Sequence, residues 1–266
     1  MVKVAVTGAA GRMGGLIARL VNEADGMLVG AGLERPEHPS LGEDLGLVAG
    51  YGKADVPLTC DVAAAMESCD VLVDFTTAEV SLNNIEIVAK AKKAIVIGST
   101  GFTPEEKESI RARNDCRIFF TPNMSVGMNI LFKLVHEAAR LLGEDYDVEI
   151  VETHHRFKKD APSGSAKRLA EEVANALGLN AASDCVNGRE GIVGERTAKE
   201  IGMHAVRAGD VVGDHTVIFG TLGERLELTH KASSRETFAR GAVKAAEWIV
   251  TQPPGVYEMM DLLNLK

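Results

Sequence analysis

Val2-Lys3-Val4-Ala5-Val6-Thr7-Gly8-Ala9-Ala10-Gly11-Arg12-Met13-Gly14 is the stretch that decides the fold. Val2–Val6 is a short apolar run rich in β-branched residues, the kind buried on both faces of a parallel sheet. It passes directly into a glycine-rich turn. From Arg12 to Ala24 the apolar residues Met13, Ile17, Leu20 and Val21 then recur at helical spacing. The glycines follow G-x-x-G-x-x-G rather than the commoner G-x-G-x-x-G, but the physical demands are the same. Gly8 permits the tight turn, Gly11 lets backbone N–H groups approach a pyrophosphate, and Gly14 lets the helix pack on the strand. Strand, glycine turn and helix in this order point to dinucleotide binding.

The pattern continues outward. Met27–Leu33 reads as a second strand and ends in Glu34-Arg35. An acidic residue there reads ribose hydroxyls, whereas an adjacent Arg suits a 2′-phosphate. The pair together implies use of NADH and NADPH alike. Residues 35–53, rich in Pro and Gly, read as a loop, and Val62–Ser68 as a short helix. Buried strands at Val71–Phe75, Ala94–Ile97 and Arg117–Phe120 alternate with helices at Ala78–Lys92 and from Pro104 to about Asn114. The latter opens on the capping box Thr103-Pro104-Glu105-Glu106. Such alternation is the signature of a Rossmann-like, doubly wound parallel sheet. Its strand ends at Gly8–Gly14, Thr76-Thr77, Gly98–Gly101 and Thr121–Met124 are small, polar or glycine-rich, as a cofactor site along one sheet edge requires.

Beyond Met124 the alternation stops. Val126–Leu142 reads as a helix, Tyr146–Thr153 as a half-exposed strand, and Gly164–Leu177 as a helix stopped by Gly178. Ile201–Val206, His215–Thr221 and Arg225–His230 read as strands expected to be antiparallel, with Leu222-Gly223 turning between the last two. Glu236–Val250 is helical again, and Tyr257–Leu265 is expected to return to the first domain. The α/β fold expected is therefore a dinucleotide-binding domain over residues 1–124, with 236–266 returning to it, and a second α+β domain over 125–235 built on an open mixed sheet. A sheet with helices on one face needs cover on the other, so oligomerisation is expected through it.

The 266 residues carry 45% hydrophobic and 25% charged residues and a net charge of −9. That charge argues against general affinity for nucleic acid or anionic membrane. Cys60, Cys69, Cys116 and Cys185 are scattered and lack metal-ligand spacing, so no metal is expected and reduced thiols in a cytoplasmic setting are. No apolar run reaches the length of a membrane span, and the N-terminus enters a strand at once, which argues against a signal or transit peptide.

Against this acidic background, His154-His155-Arg156-Phe157-Lys158-Lys159-Asp160-Ala161-Pro162-Ser163-Gly164-Ser165 concentrates cations and proton-transfer groups before a helix start. The arrangement suits a small dianion. Hydride addition to a C=N or conjugated imine leaves charge that needs a proton donor, and His or Lys can supply it. Adjacent His154 and His155 on a strand would face opposite ways and hold different tasks. Pro162-Ser163-Gly164-Ser165 reads as a helix N-terminus able to hold a carboxylate, and Arg235 is a weaker candidate for lining the cleft. His38, His136, His204, His215 and His230 have no motif around them and read as structural or surface residues. Arg156, Phe157 and Lys159 have no assigned role.

These blocks, with Val73-Asp74-Phe75-Thr76, Ile97–Phe102, Asn123–Gly127, Arg207–Asp210 and His230–Arg235, closely resemble those of dihydrodipicolinate reductases over nearly the whole chain. The resemblance implies a homotetramer with a Rossmann domain and a second domain for substrate binding and tetramerisation. It also implies reduction of a cyclic unsaturated imine dicarboxylate by NADH or NADPH in diaminopimelate and lysine biosynthesis. By position it makes His154 and Lys158 proton donors and His155, Gly164 and Ser165 substrate binders. It makes Gly8, Ala9, Ala10, Gly11, Arg12, Met13, Glu34, Arg35, Gly98, Ser99, Thr100, Thr121, Pro122, Asn123 and Met124 cofactor contacts. Ser165 and Ser99 stand where Thr is more usual, and both keep the hydroxyl. A non-catalytic dinucleotide sensor or another two-domain amino-acid dehydrogenase would share the glycine turn. The His-His–Lys block separates them from this reading.

Overall fold

The apolar run that opens the chain forms β1 (Val2–Thr7), in which Val4, Ala5 and Val6 are fully buried. The computed structural model describes residues 1–265, in two units. One comprises Met1–Ser125 and the chain from Glu236 onward, the other Val126–Arg235. Lys266, part of the expected returning segment, lies outside the described residues.

After β1 come α1 (Arg12–Glu23), β2 (Met27–Leu33), α2 (Leu45–Ala49), β3 (Leu58–Thr59), α3 (Val62–Ser68), β4 (Val71–Asp74), α4 (Ala78–Ala91), β5 (Ala94–Ile97), α5 (Pro104–Arg111) and β6 (Arg117–Phe120). The second unit holds α6 (Val126–Leu142), β7 (Asp147–His154), α7 (Gly164–Leu177), α8 (Ala181–Asp184), β8 (Cys185–Asn187), β9 (Ile201–Arg207), β10 (Gly213–Thr221) and β11 (Glu224–Ala232). The chain then returns through α9 (Glu236–Ile249), β12 (Gly255–Tyr257) and α10 (Met259–Leu262).

Among the described residues, the first unit's strands form a parallel sheet in the order β12-β6-β5-β4-β1-β2-β3. Val71–Val73 and Ile95–Ile97 are fully buried, because helices cover both faces. The chain fills the sheet outward in both directions from β1 and β4. The switch point, where such sheets bind ligands, therefore lies beside the carboxyl end of β1. Thr77 caps α4, and Thr103 with Glu106 forms a full capping box on α5, each cap adding roughly 1 kcal/mol.

Two readings of the first unit need correction. The segment expected as loop over 35–53 contains α2, whose N-terminus is capped by Asp44 and whose end is turned by Gly50 at φ 77°. Five residues are too few to display helical periodicity, so the Pro and Gly around them dominated the reading. The two-residue strand β3, which edges the sheet beside β2, was not expected.

In the second unit the strands run β11-β10-β7-β9-β8. β10 is antiparallel to both β7 and β11, and Leu222-Gly223 is the two-residue hairpin turn. The expectation that Ile201–Val206 would also be antiparallel is overturned: β9 runs parallel to β7, and β8 parallel to β9. The connection from β7 passes through α7, a crossover that returns the chain in its original direction. Residue alternation reports which face a side chain takes, not strand direction. Val148, Ile150, Ile201, Met203, Val217 and Phe219 point from the sheet into a core shared with α6 and α7. Glu149, Val151, His204, Thr216 and Ile218 alternate with them on the opposite face.

Candidate active site

In the first unit the turn after β1 is built by glycine. Gly8 has φ 61°, and a Cβ on Gly14 would stand 2.1 Å from the Gly8 carbonyl oxygen, so any side chain there would push α1 off β1. The first helical hydrogen bond runs from Gly15 N–H to Gly11 C=O at 2.9 Å. The N–H groups of Arg12, Met13 and Gly14 precede it, no side chain caps the helix, and its first turn carries no acid. These are the features of a helix N-terminus suited to a phosphate. Glu34, at the end of β2, accepts from Ala10 N–H at 3.0 Å, which brings its carboxylate beside the turn, while Arg35 is exposed.

Asp74, fully buried at the end of β4, ties these strand ends together. It accepts from Thr7 Oγ1 (3.0 Å), from the N–H and hydroxyl of Thr76 (2.9 and 2.6 Å), from Ser81 Oγ (3.0 Å) and from Asn84 Nδ2 (2.9 Å). Ser81 in turn lies 2.7 Å from Ser99 Oγ after β5. Ser99, Thr121 and Met124 are buried, whereas Thr100 and Pro122 are exposed, and Gly98 and Asn123 half-buried.

In the second unit one register of strands assembles a polar cluster on the helix-covered face. Glu152 and His154 lie two apart on β7, so both continue the face of Val148 and Ile150. Register pairs His215 of β10 with Glu152, and Arg207 of β9 with His154. Glu152 is wholly buried. Its Oε2 accepts from His154 Nδ1 (2.6 Å) and Arg207 Nη1 (2.8 Å), and its Oε1 from Arg207 Nη2 (2.9 Å) and Ser163 N–H (3.0 Å). Burial opposes its ionisation, yet Arg207, His154 and Ser163 N–H hold its pKa below the ordinary value. Burial pushes the His154 pKa below the ordinary histidine value. Glu152 opposes this, and the charges of Lys158 and Arg207 add to it. His215 packs edge-on to His154, ring centroids 5.1 Å apart, and its Nε2 lies 3.1 Å from Ser163 Oγ. Burial and the neighbouring His154 push its pKa down to about 3.

Ser163 caps α7 by accepting from Ala166 N–H at 3.1 Å, leaving exposed Gly164 and half-buried Ser165 in the first turn. His155 lies half-buried one residue past the end of β7. Lys158 is half-buried and paired with Asp160 at 2.9 Å, while Arg156, Phe157 and Lys159 are exposed. The second unit thus places an imidazole and a helix start on one buried carboxylate, with an ammonium whose charge bears on the imidazole. It can hold an anion and exchange a proton.

Two family models match the chain. The model described as dihydrodipicolinate reductase, N-terminus, covers residues 2–124, and the one described as its C-terminus covers residues 127–263. The chain belongs to the dihydrodipicolinate reductase family. Among relatives, 4-hydroxy-tetrahydrodipicolinate reductase of Citrifermentans bemidjiense is 54% identical and that of Geobacter sulfurreducens 52% identical, each over the full length of both chains. The fold matches that of a dipicolinate-bound dihydrodipicolinate reductase from Paenisporosarcina sp. TG-14, with a TM-score of 0.75 at 23% identity and full coverage of both chains.

For this dihydrodipicolinate reductase family member, sequence reasoning assigned no role to Glu152 or Arg207, read Ser163 only as part of a helix start and read His215 as a structural or surface residue. Glu152 carried a usable signal, since strand alternation places it on the face of His154. His215 carried none, because its partners are set by the register between β7 and β10, which a single sequence does not state.

Proposed function

We propose that the chain reduces 4-hydroxy-tetrahydrodipicolinate, by way of dihydrodipicolinate, to tetrahydrodipicolinate with NADH or NADPH, in diaminopimelate and lysine biosynthesis. The observation that carries this reading is the pairing of His154 with buried Glu152, beside Lys158 and the start of α7. The first unit's residues fit a dinucleotide, since α1 begins uncapped and a Cβ on Gly11 would come within 3.0 Å of the Gly8 oxygen. When bound, that cofactor supplies the hydride.

The chain's own residues then divide the work. The turn Gly8–Met13 holds the pyrophosphate, and Glu34 and Arg35 read the ribose. Gly98–Thr100 and Thr121–Met124 line the site, with Ser99, Thr121 and Met124 contributing backbone atoms. His155 and the first turn of α7 at Gly164 and Ser165 hold the substrate's carboxylates. His154, fixed through Nδ1, gives its proton from Nε2, and Lys158 is the second donor. Burial disfavours the charged form of His154 in the free chain. A bound dianion raises its affinity for a proton, so binding and charging of His154 go together. The 1–124 and 236–266 segments form the cofactor domain, and 125–235 the substrate and tetramerisation domain of a cytoplasmic homotetramer. The scattered free thiols and the helix-free face of the second sheet support that last assignment.

The test is loss of nicotinamide absorbance when the preceding synthase makes the substrate in situ. Turnover with either cofactor is expected, and its absence with both would leave dinucleotide sensing as the surviving reading. A second measurement concerns Arg35. Arg35→Ala should weaken NADPH by about tenfold and NADH by little, because a charge-assisted contact to a 2′-phosphate is lost. Equal effects on the two cofactors would withdraw the role of Arg35.

A further inference from the structure

We propose that Glu152, clamped by Arg207, is the positioning residue of the second unit: one oxygen fixes the His154 ring with its proton on Nδ1, and the other fixes the start of α7 through Ser163 N–H. The inference rests on the role given to His154 above. A buried carboxylate is costly unless fully paired, and every contact here is matched. Oε2 accepts at 2.6 Å from His154 and 2.8 Å from Arg207, and Oε1 at 2.9 Å from Arg207 and 3.0 Å from Ser163 N–H. Arg207 also donates to the Asp160 carbonyl at 2.6 Å, so the loop carrying Lys158 is anchored to the same pair. Three parts of the site, the imidazole, the ammonium loop and the helix start, converge on one ion pair.

The consequence for His154 is specific. An ionised carboxylate on Nδ1 can only accept, so that nitrogen keeps its hydrogen and Nε2 is left to exchange a proton. On the Nε2 side, a Cβ at position 213 would stand 3.0 Å from the ring nitrogen, so Gly213 leaves that nitrogen room. The charged and titratable groups around the ring are Glu152 on β7, Arg207 on β9, His215 on β10 and Lys158 in the loop. Of these only Glu152 contacts Nδ1. The carboxylate also orients the helix start through Ser163 N–H.

The test reads the ring directly. In the full chain with 15N-labelled histidine, free of substrate and cofactor, His154 above its titration point should show hydrogen on Nδ1 and none on Nε2. In E152Q, and in E152Q/R207Q where the Arg207 guanidinium is not left without its carboxylate, the hydrogen should move in part to Nε2. The pH profile of kcat should shift, and kcat should fall by about a hundredfold. Hydrogen on Nε2 in the unaltered chain would overturn the proposal, as would variants with the original tautomer and an unmoved pH profile. Absence of turnover in the unaltered chain would instead strike the reductase reading and leave the tautomer result standing.

Discussion

His154→Gln should lower kcat by about 10²- to 10⁴-fold while changing the affinity for the dicarboxylate by no more than a few-fold. Gln keeps a polar group of similar length at the end of β7 and keeps a hydrogen-bond donor for Glu152 Oε2, so the paired carboxylate stays satisfied. What it lacks is a nitrogen that can take up and release a proton near neutral pH. If His154 donates in the transition state, the loss appears in kcat and kcat/KM together. If it only holds substrate, KM rises and kcat stays. Steady-state kinetics of the variant with both cofactors separate the two, and an unchanged kcat would remove His154 from the chemistry. Lys158→Met differs in kind, because it also frees Asp160, now 2.9 Å away.

How far the sequence could be read follows from which interactions are local. The turn Gly8–Gly14, the capping box at Thr103, and the hairpin at Leu222-Gly223 each depend on a few consecutive residues, and the structure has them where the residues place them. The doubly wound sheet was legible for the same reason, since buried strands and helices alternate with short connections. Direction and register were not. Ile201–Arg207 alternates equally well in either direction, and only the α7 crossover makes it parallel to β7. The polar cluster is a product of register: residues 152, 207 and 215 meet because β7 lies between β9 and β10, and Ser163 joins them from the start of α7. The motif His154–Ser165 showed where chemistry could reside, and its buried counter-charge, Glu152, lies just before it, but Arg207 and His215, which complete the cluster, come from strands more than 40 residues further on.

Stability should fall as the pH is lowered from about 6.5, before most carboxylates titrate. His215 carries the argument. Its ordinary pKa is 6.5, and burial lowers it to about 3 in the folded chain. Between those values the unfolded chain holds a proton on this ring that the folded chain refuses. The stability is therefore fully present above pH 6.5 and is lost as pH falls toward 3, at about 1.4 kcal/mol per pH unit while the difference is a full proton. The ceiling is on the order of 5 kcal/mol, a large part of a typical folding free energy. His154 and His230, also lowered by burial, add in the same direction. Glu149 acts in a separate, lower window. Burial opposes its ionisation, but Arg189, His204 and Arg196 bring its pKa from 4.5 to about 2, so its contribution is lost as pH falls from 4.5 toward 2. Denaturant unfolding followed from pH 7.5 to 4.5 should show a steep early decline. His215→Gln should flatten that slope, whatever it does to stability at neutral pH, and Glu149→Gln should leave it alone. An equal slope in the His215 variant would mean that the ring takes up its proton without leaving the folded chain.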